Sequence, residues 1–290
     1  MPSLSRILVP VDFSSRSAGA VYYGEALAAR FGSEVTLLHV LPPPHYEFSA
    51  LEVGGSVLNE LFATRSAQVR QELDNFLRDE LAHLPVRRVI VEGDPARKIV
   101  EFAHNERMDL IVMPTHGYGP FRRFILGSVT AKVLHDADCP VWTGVHLEEA
   151  PRAQDIAITH VMAALDLGPQ SLKVLEWASW LAGAFQAHLS ILHATPSLEG
   201  RAGEYFDPEW RSHLGEEARK EILRLQQQAG CEAEILIESG DPPRVVAEAA
   251  ARTKASVLVI GRGSATGLFG RLRTNAYAII RQSPCPVASV

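Results

Sequence analysis

Short apolar runs alternate with longer stretches of helical spacing along the first half of the chain. Ile7–Val11, Val35–Leu41, Val86–Val91, Leu110–Met113 and Val141–Val145 are apolar on consecutive positions and mostly rich in β-branched residues, which predicts strands buried on both faces. Between them Ser15–Arg30, Asn59–His83 and Ala96–Glu106 carry helical spacing. Ser14 or Ser15 and the Asp94-Pro95 pair are start signals, and Gly32 is a stop. Strands alternating with helices predict crossover connections and a mostly parallel sheet covered on both faces, an α/β open-sheet sandwich of five strands. Pro42-Pro43-Pro44 and Gly54-Gly55 bracket an irregular stretch after the second strand, a candidate lid at the carboxyl edge of the sheet.

The same pattern is then written again, from about Ala157 to Val290. Asp12 and Asp166 each end an apolar run and stand 154 residues apart, and His39 and His193 share that offset. Gly93-Asp94-Pro95-x-Arg97 returns as Gly240-Asp241-Pro242-x-Arg244, and Cys139-Pro140-Val141 as Cys285-Pro286-Val287. Order is kept throughout, so the chain reads as two tandem α/β domains, 1–150 and 151–290, joined through the polar, acidic segment Leu147–Asp155.

Composition narrows the classes of function. The chain has 290 residues, 47% hydrophobic and 21% charged, enough for two cores and unlike a disordered or fibrous sequence. Its 28 basic against 34 acidic residues give a net charge of -6, so neither nucleic acid nor an anionic membrane is an expected partner. Cys139, Cys231 and Cys285 are odd in number and widely spaced, which suits neither a disulfide framework nor a zinc cluster and predicts reduced, buried thiols. With only a short apolar run after Met1, the expected location is cytoplasmic.

Open α/β sheets bind ligands beyond the carboxyl ends of their strands, which directs attention to Asp12, Val40 and the segment from Met113 onward. From Met113 through Pro114, Thr115-His116-Gly117 and Gly127-Ser128-Val129-Thr130, a glycine loop leads into a helix start. Helix N–H groups and the Ser128 and Thr130 hydroxyls there suit phosphate, with Arg122 and Arg123 close by in sequence. The plainer alternative is that Gly117 and Gly127 turn the chain and Ser128 caps a helix.

These residues, in two copies over essentially the whole chain, resemble a tandem universal stress protein. That family carries an aspartate after its first strand and the nucleotide motif G-x2-G-x9-G-[S/T] after its fourth; Gly117-x9-Gly127-Ser128 matches the last three motif positions, with Pro114 in place of the first glycine. The resemblance implies an adenine-nucleotide α-hydrolase-like fold and a bound ATP or AMP, with magnesium held through the phosphates. It implies that Pro10, Val11, Asp12 and the backbone of Val40 hold adenine, beside Met113 and Pro114, while Gly117, Gly127, Ser128, Val129 and Thr130 hold ribose and phosphates. Proline lacks an N–H, so binding retuned at Pro114 is expected. The second copy departs further: Asp166 and Gly261 are kept, but Ser264, Thr274 and Asn275 stand where the motif has glycine, glycine and serine, with Arg271 and Arg273 nearby. A second, weaker site is the expectation, because a side chain at Thr274 crowds the approach that glycine leaves open.

The resemblance also implies that the two halves pair as an intramolecular pseudo-dimer through their last strands, with a further homodimer open. Three functions remain: a nucleotide-binding stress-response regulator with at most very slow hydrolysis, an ATP-using enzyme of the wider class, and an interaction scaffold with inactive sites. His39 and His193 are read as hydrogen-bonded scaffold, and His116 lacks a partner at catalytic or metal-like spacing.

Overall fold

The computed structural model describes residues 4–42, 55–115, 126–144, 150–195, 208–262 and 274–290. The chain divides into two compact units, Ser3–Ile156 and Ala157–Val290. In the first, the elements run β1 (Arg6–Pro10), α1 (Ser15–Phe31), β2 (Glu34–Leu41), α2 (Gly55–Asn75), β3 (Val86–Glu92), α3 (Pro95–Asn105), β4 (Leu110–Pro114), α4 (Ser128–Asp136) and β5 (Val141–Gly144). The second repeats them as β6 (His160–Ala164), α5 (Ser171–Phe185), β7 (His188–Thr195), α6 (Pro208–Ala229), β8 (Glu234–Ser239), α7 (Pro242–Arg252), β9 (Val257–Ile260), α8 (Thr274–Gln282) and β10 (Val287–Ser289).

Within the first unit the strand order is β3-β2-β1-β4-β5, every pair parallel. Within the second it is β8-β7-β6-β9-β10, again parallel throughout. Ile7, Leu8 and Val9 of β1 and Val161, Met162 and Ala163 of β6 are fully buried, as central parallel strands require. Each unit is thus the predicted α/β open sheet. Among the described residues no helix is long and apolar enough to cross a membrane.

Local signals place most helix ends. Ser14 accepts the Ser17 N–H and starts α1, Gly32 ends it in the left-handed conformation at φ 69°, and Asp94 accepts the Arg97 N–H ahead of Pro95. Gly24 lets α1 lie close on the sheet, since a Cβ there would stand 2.9 Å from Val9 Cγ2.

Three expectations change. The predicted helix Asn59–His83 begins at Gly55 and stops at Asn75, because Arg88 of β3 reaches back to take the carbonyls of Leu73 and Phe76 at 3.0 and 3.1 Å, and Leu77 turns left-handed at φ 49°. Val86–Val91 forms a strand, but as the edge strand of its unit it is only half-buried. All three cysteines are free, yet only Cys285 is buried, its thiol pushed up to about 11 by desolvation; Cys139 and Cys231 are partly exposed. Of the candidate lid, residues 43–54 lie outside the described residues.

Candidate functional site

The order of the first sheet reverses at β1, whose two neighbours are β2 and β4. Parallel strands leave a crevice beyond their carboxyl ends at such a reversal, because the flanking connections leave on opposite faces. A cleft of about 450 Å³ lies there, within the range of small-molecule sites. Of the predicted residues, Pro10, Val11, Asp12, Val40, Met113, Pro114, Gly127, Ser128, Val129 and Thr130 all line it. Gly117, with His116, Arg122 and Arg123, lies outside the described residues.

The floor is set by the turn after β1. Val11 still donates its N–H to Leu38 at 2.9 Å, and then Phe13 takes a left-handed conformation at φ 63°. That reversal lets Asp12 Oδ1 accept from the N–H of Ser14 at 3.1 Å and from its hydroxyl at 2.5 Å, the local bonding that makes aspartate a turn residue. Oδ1 is therefore occupied by the protein's own loop. The second unit repeats the device: Leu167 is left-handed at φ 55°, and Asp166 Oδ1 accepts from the Gly168 N–H at 2.8 Å and the Ser171 hydroxyl at 3.3 Å.

His39 and His193 are scaffold, as read from the sequence, and they also border the two clefts. His39 Nδ1 lies 2.9 Å from the Val11 carbonyl and His193 Nδ1 2.8 Å from that of Leu165. A carbonyl only accepts, so Nδ1 carries the proton and Nε2 of the neutral ring is left as an acceptor. Burial pushes the pKa of His39 below its usual value, against the opposing pull of the Val11 bond. The Phe13 ring stacks on the imidazole with centroids 4.6 Å apart and meets Phe76 edge-on at 5.5 Å.

The far wall is the start of α4. Thr115 donates its N–H to Gly144 at 3.1 Å and accepts that of Gly127 at 2.9 Å, which brings the helix start to the strand end. The first bond into the helix is Ala131 N–H to Gly127 O at 2.8 Å, so the N–H groups of Ser128, Val129 and Thr130 precede the intrahelical ladder. Gly127 is the cap, with no side-chain cap bond, and Ser128 is the first helical residue. The Thr130 hydroxyl is buried and donates to the Pro114 carbonyl at 3.0 Å, so Thr130 offers the cleft its backbone N–H rather than its hydroxyl.

Arg65 of α2 also lines the cleft, a cation that the sequence reading missed. Nothing local marks it among the charged residues of an amphipathic helix; its relevance comes from where α2 lies over the sheet.

The corresponding cleft of the second unit holds about 200 Å³ and is lined by Asp166, Gly261 and Asn275, with Arg262, His193 and Gln170. Ser264, Arg271 and Arg273 lie outside the described residues, and Thr274 opens α8 with its side chain outside the description. Among the described residues no group of three or more His, Cys, Asp and Glu is arranged to hold a metal ion.

Comparison with known proteins agrees with this duplication. The profile of the Universal stress protein family matches residues 4–143 and again 157–290. A universal stress protein of Methanocaldococcus jannaschii is 30% identical over 136 residues, 47% of this chain and 79% of that protein. One of Mycobacterium tuberculosis is 34% identical over 149 residues, 48% of this chain and 45% of its own length. The crystal structure of a universal stress protein from Archaeoglobus fulgidus superposes with a TM-score of 0.69 at 22% identity, covering 98% of this chain and 97% of that one, a likeness of fold.

Proposed function

Because the chain belongs to the universal stress protein family and carries its domain twice, we propose that its first half binds an adenine nucleotide, ATP or AMP, and that the protein works as a stress-response regulator whose signal is occupancy of that site. The observation that supports this best is convergence. Residues far apart in sequence, Pro10 to Asp12, Val40, Met113 and Pro114, and Gly127 to Thr130, meet at one cleft of about 450 Å³.

Its lining combines the two characters a nucleotide requires. Val11, Val40, Leu38 and Ile99 give the cleft an apolar lining suited to a base. The N–H groups at the start of α4, with the Arg65 cation on the cleft wall, suit phosphate. Asp12 stands between β1 and α1 with its Oδ1 held by Ser14, which fixes the carboxylate in one orientation for a ribose hydroxyl or base amine. The Pro114 carbonyl is taken by the Thr130 hydroxyl and proline has no N–H, so the strand end contributes shape rather than a donor. Magnesium, when bound, neutralises phosphate charge and needs only one or two protein groups.

The test is direct. Purified protein is denatured and the released small molecules are identified by mass spectrometry, and the emptied chain is then titrated calorimetrically with ATP and AMP. Saturable binding of either, weakened in Ser128→Pro, is the expected result. Heat-silent titration of protein that releases no nucleotide overturns the reading.

A further inference from the structure

Arg152 belongs to neither copy of the repeated domain, since the family segments end at 143 and resume at 157. Its side chain is nonetheless engaged by the first unit. Nη1 donates to the Tyr22 hydroxyl at 2.6 Å and to Glu80 Oε1 at 3.1 Å, and the guanidinium carbon lies 4.8 Å from the centre of the Tyr22 ring. The Arg152 backbone is extended, at φ −61° and ψ 154°, and its carbonyl accepts the Asp155 N–H at 2.8 Å, so the chain turns directly after the contact. The second unit begins at Ala157. A single arginine thus fastens the connection between the halves to α1 and to the turn that precedes β3.

The receiving surface is a cluster of charge. Tyr22 and Glu25 stand three residues apart on α1 and so share a face, while the buried Leu81 anchors the turn that carries Glu80. His83, from the same turn, places Nε2 3.5 Å from Glu25 Oε1. The titratable groups around Arg152 are therefore Tyr22 and Glu25 of α1 and Glu80 and His83 of the connection to β3. Glu25 is the sheltered one, with 12% of its side chain exposed against 37% for Glu80 and 54% for Arg152. Burial pushes its carboxyl above the usual range, His83 and Arg152 pull it down, and Glu80 adds to the push. Such coupling is reciprocal: if a docked Arg152 favours the ionised form of Glu25, the ionised form favours docking. An exposed ion pair is weak and a cation over a tyrosine face modest, so the contact has the strength of a catch rather than of a permanent joint.

We propose that Arg152 is a latch that holds the connection between the two halves against the first, and that a proton taken up by Glu25 opens it. Closed, the latch keeps the chain from Arg152 to Ile156 on α1. Open, it releases that segment, roughly 15 Å of chain at full extension. Acid is the trigger because the guanidinium keeps its charge at every physiological pH while the carboxylates that hold it do not. The latch does not rest on the nucleotide reading of the first cleft.

Trypsin reads the latch directly. To cut between Arg152 and Ala153 the protease must take the guanidinium into its own acidic pocket, so the side chain has to leave Tyr22 and Glu80 first. While opening and reclosing outpace cleavage, the cutting rate follows the open fraction. The full chain is digested briefly in mildly alkaline buffer, and the fragment beginning at Ala153 is quantified by mass spectrometry. Glu80→Gln and Tyr22→Leu should each raise its rate of appearance roughly threefold or more. Tyr22→Phe, which keeps the ring face and loses the hydroxyl, should fall between Tyr22→Leu and the parent. Glu25→Gln fixes the uncharged form and should also speed the cut. An isoleucine-methyl spectrum as dispersed as the parent's certifies that each variant is folded. Parent-like cutting in both Glu80→Gln and Tyr22→Leu overturns the latch, and parent-like cutting in Glu25→Gln overturns the acid trigger. A second measurement needs no variant. The Tyr22 ring displaces the Arg152 side-chain proton resonances upfield while the latch is closed, and they should return toward ordinary arginine positions as pH falls from about 7 through the carboxylate range. Resonances that hold their place throughout contradict opening by acid.

Discussion

The hydroxyl of Thr130 donates to the carbonyl oxygen of Pro114 across 3.0 Å, tying the end of β4 to the first turn of α4. Both residues are buried, so the carbonyl has little recourse to water if the donor is lost. Thr130→Val should therefore destabilise the first half by about 1–3 kcal/mol, and Thr130→Ser by much less. Urea unfolding read at the Ile99 methyl checks this, and a larger loss in Thr130→Ser than in Thr130→Val would mean that packing of the methyl group, not the bond, holds the junction.

Gly127 sits at φ −60° and ψ 144°, a conformation open to any residue. Its glycine is not required by the backbone angles, so Gly127→Thr, the residue found at position 274, brings no strain in φ and ψ. What it obstructs is the approach to the helix start. Calorimetry should show adenine-nucleotide affinity down by about ten- to a hundredfold, on the order of 1–3 kcal/mol, while Asn275→Ala leaves it unchanged. The reverse pattern would put nucleotide in the second half.

The depressed pKa of His39 fixes a pH dependence. Folding favours its neutral form, so the stability this contributes is full above the ordinary histidine value of about 6.5 and is lost as pH falls from there through the folded pKa. Nitrogen-15 spectra of the ring at pH 7 should show the proton on Nδ1, toward Val11. A titration midpoint at or above about 6.5, or a proton on Nε2, contradicts the geometry.

Asp94 and Asp241 hold equivalent places but differ in use. The first accepts the Arg97 N–H at 2.9 Å, which also draws its pKa below the usual carboxylate value, whereas the second makes no side-chain cap bond. Asp94→Ala should cost about 1 kcal/mol and Asp241→Ala distinctly less. Amide exchange offers a local check: the Arg97 N–H should lose protection in Asp94→Ala, and the Arg244 N–H should change little in Asp241→Ala.

The strands are legible in the sequence because parallel strands covered on both faces must be apolar at consecutive positions, and few other structures impose that on five-residue runs. Caps at Ser14 and Asp94 are legible for a similar reason, the bond being made within three residues. The end of α2 is not, since it depends on Arg88 reaching across fifteen and twelve positions to Leu73 and Phe76. The cleft divides along the same line. Asp12, Val40 and Gly127 follow strand ends, which topology alone brings together. Arg65 reaches the cleft only through the lie of a helix.

The left-handed turn after each aspartate has a bearing on protein engineering. A residue with a side chain held at φ near 60° gives up about 1–2 kcal/mol relative to an unstrained backbone, and glycine at Phe13 or Leu167 would recover part of it. The two substitutions are not equivalent. Phe13 stacks on His39 and meets Phe76, an aromatic arrangement worth about 0.5–1.5 kcal/mol per pair, so Phe13→Gly exchanges one gain for another loss and leaves the melting temperature almost where it was. Leu167 has no such stack to lose, and Leu167→Gly should raise it. A thermostabilised scaffold is therefore best sought by relaxing the second loop while the first, whose strain and aromatic stack are coupled, is kept as the wall of a receptor for ligand-sensing designs.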